Sequence, residues 1–269
     1  MPATLARAVT VTLAASVVLA GCGGDAPALG RAAWTGCGPP VIAHRGEPSA
    51  APEESMRSFR AAVRHGAEVL EGDVHFTRDG HPVLIHDDTV DRTTNGTGRV
   101  DHQTLAEVRR LDSGAGTQVP RLGELLDLAR QQDLRLVLEL KQPHATRRQV
   151  RAFWHAVQRR GDADQVTVES FHPENLRLTR SVAPQAETAL ITSTPVPASR
   201  AADLGEAIIP SIDVADRGRV RQWHGAGLEV WVWTADTRQD WRRARSAGVD
   251  GVMTNRTEAY VDWIDAGCR

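Results

Sequence analysis

Two acidic side chains and a histidine are spaced so that a folded sheet would bring them together. Glu71 and Asp73 lie two residues apart in an alternating segment, and side chains two apart in a strand point to the same face. The Asp-Gly pair at 79–80 is typical of a hairpin turn, so the apolar run after it would return His86 to the acids. Neighbouring carboxylates suit a hard cation, and an imidazole suits proton transfer. The alternative is a solvated sheet edge, where acids are also common.

A second histidine and two cationic groups follow other apolar runs. His44 and Arg45 come directly after one such run, and Lys141 ends another that also carries Glu139. His44 and His86 would suit an acid/base pair. Arg45 and Lys141 suit phosphate oxygens, as a planar fork and a point charge respectively.

Lys141 is the only lysine in a chain that otherwise uses arginine. A composition this biased replaces lysine wherever arginine will serve, so we interpret a compact ammonium as required beside Glu139. The alternative is chance survival of a single lysine, since surface lysines carry little information.

Three acids would present oxygen ligands to one cation: Glu71, Asp73 and Glu139. Oxygen ligands of this kind select Ca²⁺ or Mg²⁺ over softer metals, and no Cys-His arrangement has zinc spacing. We therefore expect one divalent cation and leave the choice between Ca²⁺ and Mg²⁺ open.

The elements that would position these side chains are eight apolar runs that alternate with amphipathic helical patterns. The predicted strands span 41–44, 69–76, 134–141, 165–170, 187–191, 207–212, 229–234 and 251–254. The predicted helices span 56–65, 122–131, 146–160, 173–181, 217–226, 238–247 and 257–266, and segment 199–204 is too short to assign. This alternation predicts a TIM (β/α)8 barrel, with a doubly wound open sheet as the alternative.

Residues 77–121, with the hairpin strand at 82–86, form one long insertion after the second strand. Long structured insertions at this position usually serve the site. In a barrel, the acids, the histidines and the cationic groups would all lie at the carboxyl ends of strands, where barrel active sites form.

The N-terminus predicts export. In residues 1–21 a short positive region precedes an apolar run too short to span a membrane, and the Leu-Ala-Gly before Cys22 resembles the lipobox of bacterial lipoproteins. That resemblance implies cleavage before Cys22, lipid on this residue and attachment to the outer face of the bacterial cell membrane. A plain secretory signal is the alternative. Residues 22–40 would form a flexible tether to a barrel domain over 41–269.

Two further cysteines, Cys37 and Cys268, flank the predicted barrel. In a closed βα barrel the start of the first strand and the end of the last helix lie at the same end, and an exported protein keeps disulfides. We therefore predict a Cys37–Cys268 disulfide, with two unrelated thiols as the alternative.

Composition excludes several classes of function. The 269 residues have a formal net charge of −2 and no basic patch, so no nucleic-acid partner is expected. A nucleophile-elbow Gly-x-Ser-x-Gly and a Walker-type loop are both missing, which argues against serine hydrolases and NTPases. Trp231 and Trp233 share a strand face and could form an apolar or cation-binding wall, although strand tryptophans more often pack.

An ordered series of motifs resembles the glycerophosphodiester phosphodiesterase family from residue 41 to about residue 258. The matching segments are Ala-His-Arg-Gly at 43–46, Pro-Glu-Glu-Ser at 52–55, Glu-Gly-Asp-Val, Thr-Arg-Asp-Gly and His-Asp between 71 and 87, Arg-Thr-Thr-Asn-Gly-Thr-Gly at 92–98, Leu-Asp-Ser-Gly at 111–114, Pro-Arg-Leu at 120–122, Glu-Leu-Lys at 139–141, Ser-Phe at 170–171, Trp-Thr at 233–234 and Gly-Val-Asp-Gly at 248–251.

The resemblance implies a TIM barrel and metal-dependent hydrolysis of glycerophosphodiesters to glycerol 3-phosphate and an alcohol. The implied roles are metal binding by Glu71, Asp73 and Glu139, acid/base catalysis by His44 and His86, and phosphate or substrate binding by Arg45, Lys141, Phe171 and Trp233. We favour His86 as the acid. Water or the substrate's own 2-hydroxyl could attack first, and the headgroup and oligomeric state remain open.

Four positions depart from the family pattern. Glu54 and Ser55 replace Asn and Thr, Gly72 replaces the usual apolar residue between the two acids, and Asn255 replaces an Asp. None removes a proposed ligand or histidine. Two alternative functions remain: a lyase of the same barrel superfamily that cyclises a phospholipid headgroup, and a lipoprotein that binds glycerophosphodiesters without turnover.

Overall fold

Strands and helices alternate along the chain, and eight parallel strands close into a barrel. The structure is a computed structural model that describes residues 38–267. Its strands are β1 (Val41–Ala43), β2 (Val69–Phe76), β3 (Pro82–Leu84), β4 (Arg135–Leu140), β5 (Val166–Ser170), β6 (Glu187–Thr192), β7 (Ala207–Pro210), β8 (Glu229–Val232) and β9 (Gly251–Thr254). β1 pairs in parallel with both β2 and β9, which closes the barrel. The predicted TIM barrel is confirmed, and the open-sheet alternative is wrong.

Helices cover the outside of this barrel. They are α1 (Met56–Arg64), α2 (Leu105–Val108), α3 (Leu122–Gln132), α4 (Arg147–Arg160), α5 (Pro173–Val182), α6 (Ala198–Ala202), α7 (Arg217–Gly225), α8 (Arg238–Ala247) and α9 (Thr257–Gly267). Several begin at side-chain caps, such as Ser55 before α1 and Thr146 before α4, which satisfy free amides of the first turn. The seven predicted helices are present, α6 overlaps the unassigned segment 199–204, and α2 was not predicted because it is a single turn.

Alternation along the strands decides which side chains reach the site. Ile42, Val69 and Val137 pack inside the barrel with one apolar cluster, whereas their neighbours in sequence face the helices. Side chains two residues further on share the inward face, which places His44 just after β1, Glu71 within β2 and Glu139 near the end of β4. The strand period thus delivers the candidate residues to one mouth of the barrel.

The insertion after β2 is an ordered structure with its own core. β3 pairs antiparallel to β2, with Val74 opposite Leu84, and Gly80 has the positive φ of 85° that the turn requires. A separate apolar cluster holds the rest of the insertion: Val83, Ile85, Val90, Val100, Val108 and Val119. This packing fixes the hairpin that carries His86.

Several predictions fall outside the described residues: the signal peptide 1–21, lipidated Cys22, nearly all of the tether, Cys37 and Cys268. They stay predictions. Of the tether, only residues 38–40 are described, and they contact the barrel, because Tyr260 donates to the Pro39 carbonyl at 2.8 Å and Val252 N–H donates to that of Pro40 at 3.1 Å. Within 38–267, no helix combines the length and apolar character needed to cross a bilayer.

The predicted Cys37–Cys268 disulfide can be tested by its effect on stability. The described segments next to the two cysteines meet, since a Cβ on Gly38 would lie 3.0 Å from Ile264 Cδ1. A bridge closing almost the whole chain restricts the unfolded state strongly, so Cys268→Ser should lower the free energy of unfolding by roughly 2–5 kcal/mol. Chemical denaturation with and without reductant measures this. Equal stability of the variant and the oxidised wild type, or two alkylatable thiols in the exported protein, would contradict the pairing.

Candidate active site

His44 lies just beyond β1 in a chain of polar contacts that defines its tautomer. Its Nδ1 lies 2.7 Å from Asn255 Oδ1, and Asn255 Nδ2 donates to Asp236 Oδ2 at 2.7 Å. An amide oxygen only accepts, so Nδ1 of His44 carries the proton and Nε2 presents its lone pair. Burial lowers the pKa of His44 to about 4, with the positive charge of Arg45 adding to the effect. His44 is therefore a neutral imidazole with a free acceptor, and its Nε2 lies 4.0 Å from Glu71.

His86 follows β3 and has an anionic partner instead. Its Nδ1 lies 2.6 Å from Asp87 Oδ1, and Arg92 binds the same carboxylate through Nε at 2.6 Å and an NH2 group at 3.0 Å. These Arg92 bonds lower the pKa of Asp87 to about 2, so Asp87 accepts the Nδ1 proton and Nε2 of His86 is free. Behind it, the buried ring of His75 reaches the His86 carbonyl at 3.2 Å.

Two cationic side chains flank one carboxylate, Asp73. Arg45 Nε lies 3.0 Å from Asp73 Oδ2, and Lys141 Nζ lies 3.4 Å from Asp73 Oδ1 and 2.9 Å from Glu139 Oε2. Burial opposes ionisation of Asp73, but Lys141 and Arg45 outweigh it, and the pKa of Asp73 lies below its usual value. Burial, reinforced by the Asp73 charge, raises the pKa of Glu139 to about 8. The predicted cluster of Arg45, Asp73, Glu139 and Lys141 is thus brought together.

The buried acids form a group of three that differs in one member from the predicted set. Glu54, Glu71 and Asp73 each place an oxygen within 4.8 Å of the others. Glu71 accepts from the backbone amide of Arg45 at 2.9 Å, and Glu54 Oε1 accepts from that of Asp73 at 2.9 Å. Glu139 lies instead against Lys141, so its role as a ligand stays a prediction.

Glu54 was noted in the sequence only as a departure from a motif. It is buried, has a positive φ of 54°, and burial together with the nearby Asp73 raises its pKa. A Cβ on Gly72 would lie 3.2 Å from Leu125 Cδ2 and 3.5 Å from Glu54 Oε2, so the glycine and this carboxyl are neighbours on the outer face of β2. The two departures therefore lie next to each other in space, and Gly72 is buried within β2.

The chemistry of the donors fits a divalent cation. Every candidate ligand is a carboxylate oxygen, as Ca²⁺ and Mg²⁺ prefer. Among the described residues, Glu54 Oε2 has no hydrogen-bond partner, and Asp73 Oδ2 has the ion-pair contact with Arg45 Nε but no aligned hydrogen bond. A further buried carboxyl, Glu169, lies opposite Glu139 in the sheet and adds to the excess of acids over the two adjacent cationic side chains. Glu169 was missed, although an acid inside a predicted apolar strand is a recognisable signal. This acidic group could bind a metal ion.

Two aromatic side chains lie beside the inner apolar cluster. Phe171 and Trp233 pack edge to face with ring centroids 5.2 Å apart, and both remain partly exposed. Trp231, in contrast, is buried inside the barrel, where it packs as most strand tryptophans do. The aromatic surface predicted from Trp231 and Trp233 is therefore formed by Trp233 and Phe171 instead. Contact of these two side chains with substrate stays a prediction.

Fold and site together define a (β/α)8-barrel enzyme with paired imidazoles, a carboxylate cluster and two cationic groups at one barrel mouth. A sequence model of the Glycerophosphoryl diester phosphodiesterase family matches residues 44–259, and the chain belongs to that family. The predicted enzyme class is confirmed.

Similar proteins from other organisms cover the same region. A glycerophosphodiester phosphodiesterase from Caldanaerobacter subterraneus subsp. tengcongensis is 32% identical over 265 residues, which are 84% of this chain and 98% of the relative. A phosphodiesterase from Oleispira antarctica, solved in complex with the product sn-glycerol-3-phosphate, is 27% identical with a TM-score of 0.80 and covers 84% of this chain and 97% of its own. A glycerophosphodiester phosphodiesterase from Agrobacterium tumefaciens str. C58 gives 27% identity and a TM-score of 0.75, over 83% of this chain and 99% of its own.

Proposed function

We propose that the protein hydrolyses glycerophosphodiesters to sn-glycerol 3-phosphate and an alcohol, with His44 and His86 moving the protons. The observation that carries this proposal is that each histidine has a partner on Nδ1, while its Nε2 forms no hydrogen bond with the residues that the structure describes. Asp73 is close enough to both rings for each to influence its ionisation. Two imidazoles held in this way around one carboxylate cluster suit attack and departure at one phosphorus atom.

The partners of the two rings assign their roles. Burial and the charge of Arg45 favour the neutral imidazole of His44 that a base needs, and the uncharged Asn255 Oδ1 fixes its Nδ1–H tautomer. Burial lowers the pKa of His86, but the anionic Asp87 opposes this and stabilises the imidazolium, which favours an acid that protonates the leaving alkoxide. An Asp at position 255 would stabilise the imidazolium of His44, as Asp87 does for His86. The Asn found there therefore adds to the difference in role between the two histidines.

Arg45 and Lys141 supply the positive charge that the phosphate would meet. Both lie against Asp73, which holds them at the barrel mouth. We propose that Glu71, Asp73 and Glu139 hold one divalent cation beside them. When bound, such an ion polarises the phosphate and makes nearby oxygens more acidic. We further propose that Phe171 and Trp233 contact the substrate, and that lipid on Cys22 keeps the enzyme at the outer face of the membrane.

The reaction is tested by release of glycerol 3-phosphate from glycerophosphocholine. We expect release by the wild type, its loss in EDTA, and its return with either Ca²⁺ or Mg²⁺. Coupled detection of glycerol 3-phosphate, with product identification by ³¹P NMR, gives the measurement. A stable cyclic phosphate as the end product would favour the lyase, and binding without turnover in the presence of metal would favour the non-catalytic lipoprotein.

The third metal ligand can be identified without measuring activity. A ligand that binds only the folded state stabilises it by about 2.7 kcal/mol at 100 times its Kd. Ca²⁺ or Mg²⁺ should therefore raise the unfolding temperature of the wild type. We expect this thermal shift to be kept in Glu54→Gln, because Glu54 Oε1 already accepts a hydrogen bond from the Asp73 amide. Glu139→Gln should abolish the shift, since Glu139 lies against Asp73 and Lys141 on the inner face.

The two variants form a matched pair, because each exchanges one buried carboxyl for an amide of equal size. Titration calorimetry with Ca²⁺ and Mg²⁺ provides the affinities. Loss of binding in Glu54→Gln together with normal binding in Glu139→Gln would instead place the ion on Glu54, Glu71 and Asp73.

A further inference from the structure

Arg92 belongs neither to the proposed acid/base pair nor to the proposed phosphate-binding groups. It is connected to one member of each, His86 and Arg45, through carboxylates. Arg92 lies in the insertion after β2 and makes two bonds to Asp87 and two to Glu53. Each carboxylate has a second partner: Asp87 Oδ1 binds His86 Nδ1 at 2.6 Å, and Glu53 Oε1 accepts from Arg45 NH1 at 3.2 Å. One Arg92 nitrogen, NH2, contacts both of these shared oxygens, at 3.0 and 2.8 Å.

We propose that Arg92 is a positioning residue that holds the proton donor and the phosphate-binding arginine in a single arrangement. The proposal rests on the proposed function, because it takes the roles of His86 and Arg45 from there. The two carboxylates come from different parts of the fold: Asp87 follows the β3 hairpin, and Glu53 lies in the connection between β1 and α1. Arg92 therefore joins the insertion to the barrel at the edge of the site.

The geometry explains why an arginine is used. A planar guanidinium can bind two carboxylates with paired bonds, whereas an ammonium is a point charge. With both oxygens of Asp87 engaged, the carboxylate has one orientation, and the Nδ1 proton of His86 has one acceptor. Without Arg92, Asp87 can rotate towards solvent, since its side chain is 27% exposed. His86 would then lose its fixed tautomer while the backbone stays in place.

The test compares Arg92→Met with Arg99→Met. Arg99 lies in the same insertion, is similarly exposed and is also bound by two acids, Asp88 and Asp101. It forms no hydrogen bond or ion pair with Asp87 or Glu53. With glycerophosphocholine, Arg92→Met should lose about 10²-fold in kcat, as expected for a displaced catalytic group. With a p-nitrophenyl glycerophosphodiester, whose leaving group departs without a proton, kcat should fall much less. Arg99→Met should match the wild type on both.

Variants that break one branch at a time separate the two contacts. Asp87→Asn should reproduce the loss on glycerophosphocholine, and Glu53→Gln should raise KM for both substrates without changing the dependence on the leaving group. Arg92→Lys should recover little, because an ammonium cannot form the paired bonds. Arg92 has no positioning role if Arg92→Met has the same kcat values as Arg99→Met. The same conclusion follows if Arg92→Met loses stability and its kcat falls equally on both substrates.

A measurement without turnover distinguishes failure of this proposal from failure of the proposed function. Two-bond ¹⁵N–¹H spectra report the tautomer of each ring, and the His86 signals are assigned by their absence in His86→Gln. The Nδ1–H form is expected in the wild type and in Arg99→Met, and a mixture of tautomers in Arg92→Met. An unchanged Nδ1–H form in Arg92→Met would overturn the proposal even if the wild type is active. An inactive wild type would overturn only the proposed function.

Discussion

His86→Ala should lose about 10²–10⁴-fold in kcat on glycerophosphocholine, the range that acid/base catalysis contributes, while the barrel stays folded. The His86 side chain is 30% exposed and belongs to none of the apolar clusters of the described residues, so its truncation leaves those clusters intact. The missing function is the proton that an alkoxide needs in order to leave. Steady-state kinetics on purified protein, with a thermal unfolding curve for each variant, provides the measurement.

The p-nitrophenyl substrate makes this prediction specific to proton donation. Its leaving group is stable as an anion, so His86→Ala should turn it over at a rate close to that of the wild type. His75→Ala is an informative companion, because that buried ring contacts the His86 carbonyl rather than the mouth of the barrel. Near wild-type release of choline by His86→Ala would refute the assignment of His86 as the acid.

Local patterns were enough to predict the barrel and the inward-facing residues. The period of two along each strand carries the alternation from Ile42 to His44 and from Val69 to Glu71, and the Asp-Gly turn returns His86. These relations involve residues close in sequence, and their geometry follows from standard strand and turn conformations. The same reasoning placed Glu139 and Lys141 beside Asp73, because β2 and β4 are neighbours in a parallel barrel.

The partners of the catalytic groups could not be predicted in this way. Asn255 reaches His44 across 211 residues, and Arg92 reaches Glu53 across 39. Glu54 reaches the Asp73 amide only because its own backbone adopts a left-handed conformation in a loop. Loop conformations of this kind depend on the packing of the whole domain, so single-sequence patterns report the residue types without their contacts.

Lys141→Met should lose about 10²–10³-fold in kcat, the cost of removing one group that stabilises transition-state charge. The ammonium lies between Asp73 and Glu139, at 3.4 and 2.9 Å, and its side chain is only 15% exposed. Burial opposes its charge, but Asp73 and Glu139 outweigh this and raise the pKa of Lys141 to about 12, so it remains a cation throughout the assay range. The loss therefore reflects charge at the phosphate and does not depend on a proton.

The kcat of Lys141→Met should consequently fall to the same extent on both substrates, in contrast to that of His86→Ala. Lys141→Arg tests the inference drawn from the single lysine of the chain: the charge is kept, but a planar guanidinium replaces the compact ammonium that lies between Asp73 and Glu139. We expect kcat of this variant to fall at least about tenfold, whereas an arginine that served equally well would show that the lone lysine is accidental.

Metal titration of each Lys141 variant provides a second measurement, because Lys141 repels a cation that shares Glu139 and Asp73. Removing Lys141 should tighten Ca²⁺ or Mg²⁺ binding while turnover falls, a combination that simple damage to the site would not produce.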